Sequence, residues 1–139
     1  MSHGHPLPHD AAHLHVTGAA RYVDDLPCPA NCLHLAFGLS SIASGQITDL
    51  SLDQVRAHEG VIAALTAEDL PFSNDVSPAA GDEPLLSEGR VHYIGQPIFL
   101  VIATSHLSAR KAARLAQVTY AEHEAILSID QALATSGKV

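Results

Sequence analysis

The chain has 139 residues, 47% of them hydrophobic, with seven basic residues against fifteen acidic ones for a net charge of -8 with histidine neutral. That length suits one domain with a core of its own, and the acidic excess repels nucleic-acid phosphates and anionic membrane surfaces alike. No apolar run reaches bilayer length, and Met1-Ser2-His3-Gly4-His5-Pro6 lacks a basic stretch leading into an apolar one, so a cytoplasmic protein with no nucleic-acid or membrane partner is expected.

Residues 1–12 are polar, rich in His and Pro, and read as a flexible arm; residues 13–139 read as the domain. An extended stretch through Tyr22 and Val23 runs into the turn-forming cluster Asp24-Asp25-Leu26-Pro27. Alternation over residues 33–39 predicts a strand, and residues 46–52 predict a second, with Ile47, Leu50 and Leu52 available to pack. A short helix is expected over 53–59, opened by Asp53 and closed near Gly60. Residues 61–65 form an apolar run of strand length, and Thr66-Ala67-Glu68-Asp69 reads as a capped single turn.

Residues 71–89 carry Pro71, Pro78 and Pro84 among acidic and small residues and read as a long surface loop that another surface covers. Residues 91–94 are expected to be extended, Gly95-Gln96 to turn, and 97–103 to form a strand buried on both faces. The main helix is expected over about 106–117, capped by Ser105. It carries Ala109, Ala112, Ala113 and Ala116 on one narrow face and Arg110, Lys111 and Arg114 on the other. Strands at 118–120 and 126–127 and a helical turn at 129–134 complete a single α+β domain with a mixed sheet.

Candidate chemistry is sparse. Ten histidines include His3, His5, His9, His13 and His15 near the start, and the pairs His3/His5 and His13/His15 could lend imidazoles to Ni²⁺, Cu²⁺ or Zn²⁺. No Cys or tightly spaced carboxylate joins them, so incidental binding is the better reading and no metal site is assigned. Cys28 and Cys32 are separated by three residues, which is neither a Cys-x-x-Cys redox motif nor half of a zinc site. They read as two loop thiols in a reducing compartment. Asp24-Asp25, Glu68-Asp69 and Asp82-Glu83 sit where carboxylates satisfy backbone amides at turns, not where burial would make a general acid. Ser40, Ser41 and Ser44 belong to no nucleophile motif, and phosphate-cradling glycine patterns are absent. Gln96 reads as a local hydrogen-bonder, and the face of Arg110, Lys111 and Arg114 as either a docking patch or ordinary helix polarity.

Several ordered segments resemble one family. They are His15-Val16-Thr17-Gly18-Ala19-Ala20-Arg21-Tyr22-Val23-Asp24-Asp25, residues 33–40, Gly60-Val61-Ile62-Ala63-Ala64-Leu65-Thr66-Ala67-Glu68-Asp69, and Asn74-Asp75-Val76-Ser77-Pro78. Asp82-Glu83-Pro84-Leu85-Leu86, residues 91–103 and the alanine-rich helix running into Val118-Thr119-Tyr120 complete the set. Together they resemble the start of the molybdenum-binding subunit in the aldehyde oxidase and xanthine dehydrogenase family, over residues 13–133 or so. Ser44-Gly45-Gln46 and Tyr120-Ala121-Glu122-His123-Glu124 depart from its usual pattern.

The resemblance implies an α/β hammerhead fold and an N-terminal piece of a larger subunit. The parent activity implied is hydroxylation of hypoxanthine or xanthine, with electrons passing through Fe–S clusters and FAD to NAD. The molybdopterin-binding domains of the same subunit and an Fe–S/FAD subunit would be its partners. None of the family's catalytic or cofactor positions falls among these residues, so the piece is expected to be structural, inactive alone and without a bound cofactor. The alternative from another class is a free-standing His-rich metal-binding or interaction module. A lipoyl- or biotinyl-type carrier would need an exposed Lys at a hairpin tip, whereas Lys111 falls in a helix and Lys138 in the tail.

Overall fold

The computed structural model describes residues 4, 7–79 and 81–135. It divides into two compact units, Met1–Cys32 and Leu33–Val139.

In the first unit, helix α1 spans Ala12–Thr17 and stops at Gly18, whose φ of 72° places it in the left-handed region and whose N–H meets the carbonyls of Leu14 and His15. This replaces the extended arm expected there. The helix buries no residue, so its short run of Ala and Leu carries no amphipathic stripe by which to recognise it. The cluster ahead of Pro27 does turn: Val23–Asp25 is one 3₁₀ turn, and Asp25 Oδ2 accepts the Tyr22 N–H at 2.9 Å.

The second unit holds six strands: β1 (His34–Leu39), β2 (Gly45–Ser51), β3 (Val61–Leu65), β4 (Arg90–Val91), β5 (Pro97–Ala103) and β6 (Gln117–Glu122). In place of one mixed sheet, they form two three-stranded sheets, β1-β5-β3 and β4-β2-β6, with antiparallel pairing throughout. Helix α2 (Asp53–Ala57) links β2 to β3, α3 (His106–Ala113) links β5 to β6, and α4 (Ile129–Ala134) follows.

The shared core is built from Leu52, Val55, Ala64, Ile98, Phe99, Val101 and Ala112, with Ile47, Leu50, Val118 and Tyr120 of the second sheet packed against it. Ile98 and Phe99 are both buried although adjacent residues of a strand point to opposite faces, so β5 is covered on both sides at this end. Ile47 and Leu50 reach the same core despite their odd spacing. The register against β6 slips between Ile47 and Asp49, so Thr48 is the extra residue of a bulge that resets the alternation.

Helix α3 lies on the first sheet through fully buried Ala109 and Ala112. Ser105 caps it by accepting the Ser108 N–H at 3.1 Å, and Ser108 Oγ in turn donates to the Glu59 carbonyl. The helix ends at Ala113, short of the expected 117, because Gln117 already pairs with Ser51 of β2. The tight contact of Leu115 N with Ala112 O at 2.9 Å turns the chain between the two elements. Residues 92–94 are not extended: the Gln96 side chain, buried, accepts the His92 N–H at 2.7 Å and folds them into the turn through Gly95. Residues 126–127 find no strand partner; Leu127 N instead donates to Gln131 Oε1 at 3.0 Å and leads into α4.

The long loop is strapped shut by one side chain. Asn74 Nδ2 donates to the Leu86 carbonyl at 2.7 Å and Asn74 Oδ1 accepts the Leu86 N–H at 2.9 Å, imitating a strand pair across the loop. Leu86 itself is fully buried.

Two carboxylates stabilise loop starts. The Thr66 backbone N–H and hydroxyl both donate to Asp69 Oδ2, at 2.8 and 2.9 Å, and hold the Asp69 pKa below its ordinary value of 3.8. Ser77 does the same to Asp75, whose Oδ1 accepts the Ser77 N–H at 3.0 Å. Because both folded pKa values lie below the unfolded ones, this stabilisation is complete above about pH 4 and is lost as pH falls through the folded values. Thermal melts from pH 7 to pH 2 should therefore show an acid-side fall in midpoint that Asp69→Asn and Asp75→Asn each make shallower; unchanged curves would refute the assignment.

Candidate docking interface

The first sheet is covered by a helix on one face only. Toward α3 it turns the rows Ala36–Val101–Ala64 and Gly38–Phe99; away from α3 it turns Leu35–Ile102–Ala63 and Phe37–Leu100–Leu65. The division of size is sharp on β1. Its even positions are small or polar, while its odd positions are large and apolar. Leu33, Leu35, Phe37 and Leu39 are 48%, 56%, 44% and 55% exposed, and Leu100, Ile102, Ala63 and Leu65 beside them are only half-buried.

An antiparallel sheet with one solvated face ordinarily shows polar residues there. Here both faces are apolar, and the outer one forms a contiguous patch of the kind that marks contact with another surface. The patch continues past Phe37 into a groove of about 550 Å³ lined by Val76, Leu85, Tyr93 and Pro97.

The residues singled out for chemistry do not converge. His3, His5 and Lys138 lie outside the described residues. His13 and His15 sit two apart on α1, which puts them on opposite sides of the helix. His9 Nδ1 accepts the Ala11 N–H at 3.1 Å, and His15 meets the Tyr22 ring edge-on. Among the described residues no group of three or more His, Cys, Asp or Glu could hold a metal ion. Asp25, Asp69 and Asp75 are spent on backbone amides, and the depressed Asp69 pKa is opposite to what a general acid requires. Ser40 is buried, its hydroxyl donating to the Ile42 carbonyl at 2.9 Å, and Gln96 is the local structural hydrogen-bonder expected. Arg110, Lys111 and Arg114 are exposed on α3. The candidate surface is instead the apolar face of β1, whose signal was the unbroken alternation of Leu33, Leu35, Phe37 and Leu39.

Two three-stranded antiparallel sheets sharing one core, with the main helix across one of them, define an α+β domain of the α/β hammerhead class. Residues 17–124 match the family described as aldehyde oxidase and xanthine dehydrogenase, a/b hammerhead domain, and the chain belongs to that family.

It is 38% identical over 125 residues to xanthine dehydrogenase 1 of Arabidopsis thaliana, covering 90% of this chain and 9% of that protein. It is 36% identical over 131 residues to aldehyde oxidase 4 of Rattus norvegicus, covering 94% of this chain and 10% of that protein. Among solved structures, the aldehyde oxidoreductase from Desulfovibrio gigas superposes with a TM-score of 0.80 at 29% identity, over 95% of this chain and 16% of that one. The chain thus spans about a tenth of the length of these curated relatives.

Proposed function

We propose that this chain is the structural hammerhead segment of a cytoplasmic, xanthine dehydrogenase-like molybdenum hydroxylase. The parent enzyme hydroxylates a purine such as hypoxanthine or xanthine with oxygen from water, and passes the electrons through Fe–S clusters and FAD to NAD. The uncovered apolar face of the first sheet carries this reading, since burying it requires a larger body. The molybdopterin-binding domains of the same subunit are the occupant, with the Fe–S/FAD subunit a further partner.

This reading assigns the pterin cofactor to the other domains of the subunit. Among the described residues no metal-ligating cluster forms and no buried polar side chain is left without a hydrogen bond to turn toward a ligand. The role proposed for this chain is therefore packing, and its residues take no step of the hydroxylation.

The test pairs Leu35→Asp with Phe37→Asp. In this chain alone, both positions being exposed, stability should stay within about 0.5 kcal/mol per substitution. In the parent enzyme the same pair should cost about 3 kcal/mol or more of docking free energy and leave little assembled holoenzyme. Normal assembly of the doubly substituted enzyme would overturn the reading, as would hydroxylase turnover by the purified chain alone.

A further inference from the structure

Cys32 closes a tight turn that begins at Pro29, the residue after Cys28. Cys32 N donates to the Pro29 carbonyl at 3.0 Å, which makes Ala30 and Asn31 the turn's central residues and folds Cys32 back toward Cys28. Pro27 and Pro29 flank Cys28 and fix the backbone torsions on both sides of it. The two thiols are in hydrogen-bond contact, and that contact with Cys28 raises the Cys32 pKa. Neither sulfur is in a disulfide; Cys28 is exposed and Cys32 half-buried.

We infer that Cys28 and Cys32 form a dithiol site that reacts with small-molecule disulfides of the oxidised-glutathione class and closes into an internal disulfide. This goes beyond the packing role proposed above and does not depend on it. The exposed Cys28 sulfur, as thiolate, attacks one sulfur of the reagent, whose S–S bond breaks and releases one thiol. The Cys32 sulfur then gives up its proton and attacks Cys28 of the mixed disulfide, forming the Cys28–Cys32 bond and expelling the second thiol. Two protein thiols are oxidised by two electrons, and the reagent disulfide is reduced to two thiols. Cys32 keeps its proton longer than an isolated thiol would, which suits the second, resolving position. Such a pair persists reduced in a reducing compartment and closes only when the disulfide pool rises.

The test treats the whole chain with oxidised glutathione at mildly alkaline pH, blocks residual thiols with iodoacetamide, and reads the intact mass. The expected product has lost two hydrogens, carries neither glutathione nor alkyl group, and reverts with dithiothreitol. Cys32→Ser should stop at one glutathione on Cys28, and Cys28→Ser should react about tenfold more slowly than the native chain. A native chain carrying two glutathiones, or one that oxidises only to a disulfide-linked dimer, would overturn the inference. Because every reading is made on the thiols, loss of the docking face in the earlier test leaves this result unaffected.

Discussion

Replacing Phe99 with alanine is expected to lower the unfolding free energy by about 3–5 kcal/mol, measured by urea denaturation with an unchanged slope. Phe99 is fully buried in the shared core and is paired in register with Gly38. A Cβ built on Gly38 would lie 2.0 Å from two carbons of the Phe99 ring, so the ring occupies the space that any other residue at 38 would need. Gly38→Ala should therefore cost about 1–3 kcal/mol in the native chain by forcing that ring off its rotamer. The cost should largely vanish in the Phe99→Ala background, where the new methyl partly fills the cavity. The double-mutant cycle decides the point: additive costs would show that the ring does not depend on the missing side chain.

Leu86→Ala is expected to remove about 2–5 kcal/mol, because Leu86 is the fully buried apolar anchor of a largely exposed loop. Asn74→Ala should remove about 1–3 kcal/mol by a separate route, leaving the Leu86 N–H and carbonyl without their present partners. Hydrogen exchange distinguishes the two. Losing the Asn74 clasp should raise exchange within residues 74–89 while the protection of β5 persists, whereas losing Leu86 should lower protection in both. Equal loss of protection across the whole second unit in the Asn74 variant would show that the loop is integral to the core.

Much of this architecture was legible because single residues sufficed to announce it. The continuous apolar run of β5 marked a strand, although the burial expected on both faces holds only at Ile98 and Phe99 while Leu100 and Ile102 stay half-buried, and the four alanines after Ser105 marked a helix lying close to a sheet. The ends of elements were less legible, since they are set by distant partners: α3 stops where Gln117 must meet Ser51, and 92–94 bend because Gln96 reaches back to His92. The candidate interface was hidden in plain alternation. Pattern alone assigns the large side chains of a strand to the inside, yet here Ala36 and Gly38 face inward, and the Phe99 ring takes the space beside Gly38. Leu35 and Phe37 are turned outward as a result. The bulge at Thr48 was equally invisible, although the odd spacing of Ile47 and Leu50 was its trace.

The strand orders β1-β5-β3 and β4-β2-β6 also govern when the chain can fold. His34 pairs with Ala103 and Ser51 with Gln117, so every principal ladder joins residues separated by a large part of the sequence. The first half made by a ribosome contains β1, β2 and β3 but neither of the strands that bring them together. Closing such wide gaps is slow, and the early strands remain unpaired and sticky until β5 and β6 emerge. The lifetime of that half-made state, more than the final stability, sets the demand this sequence places on chaperones.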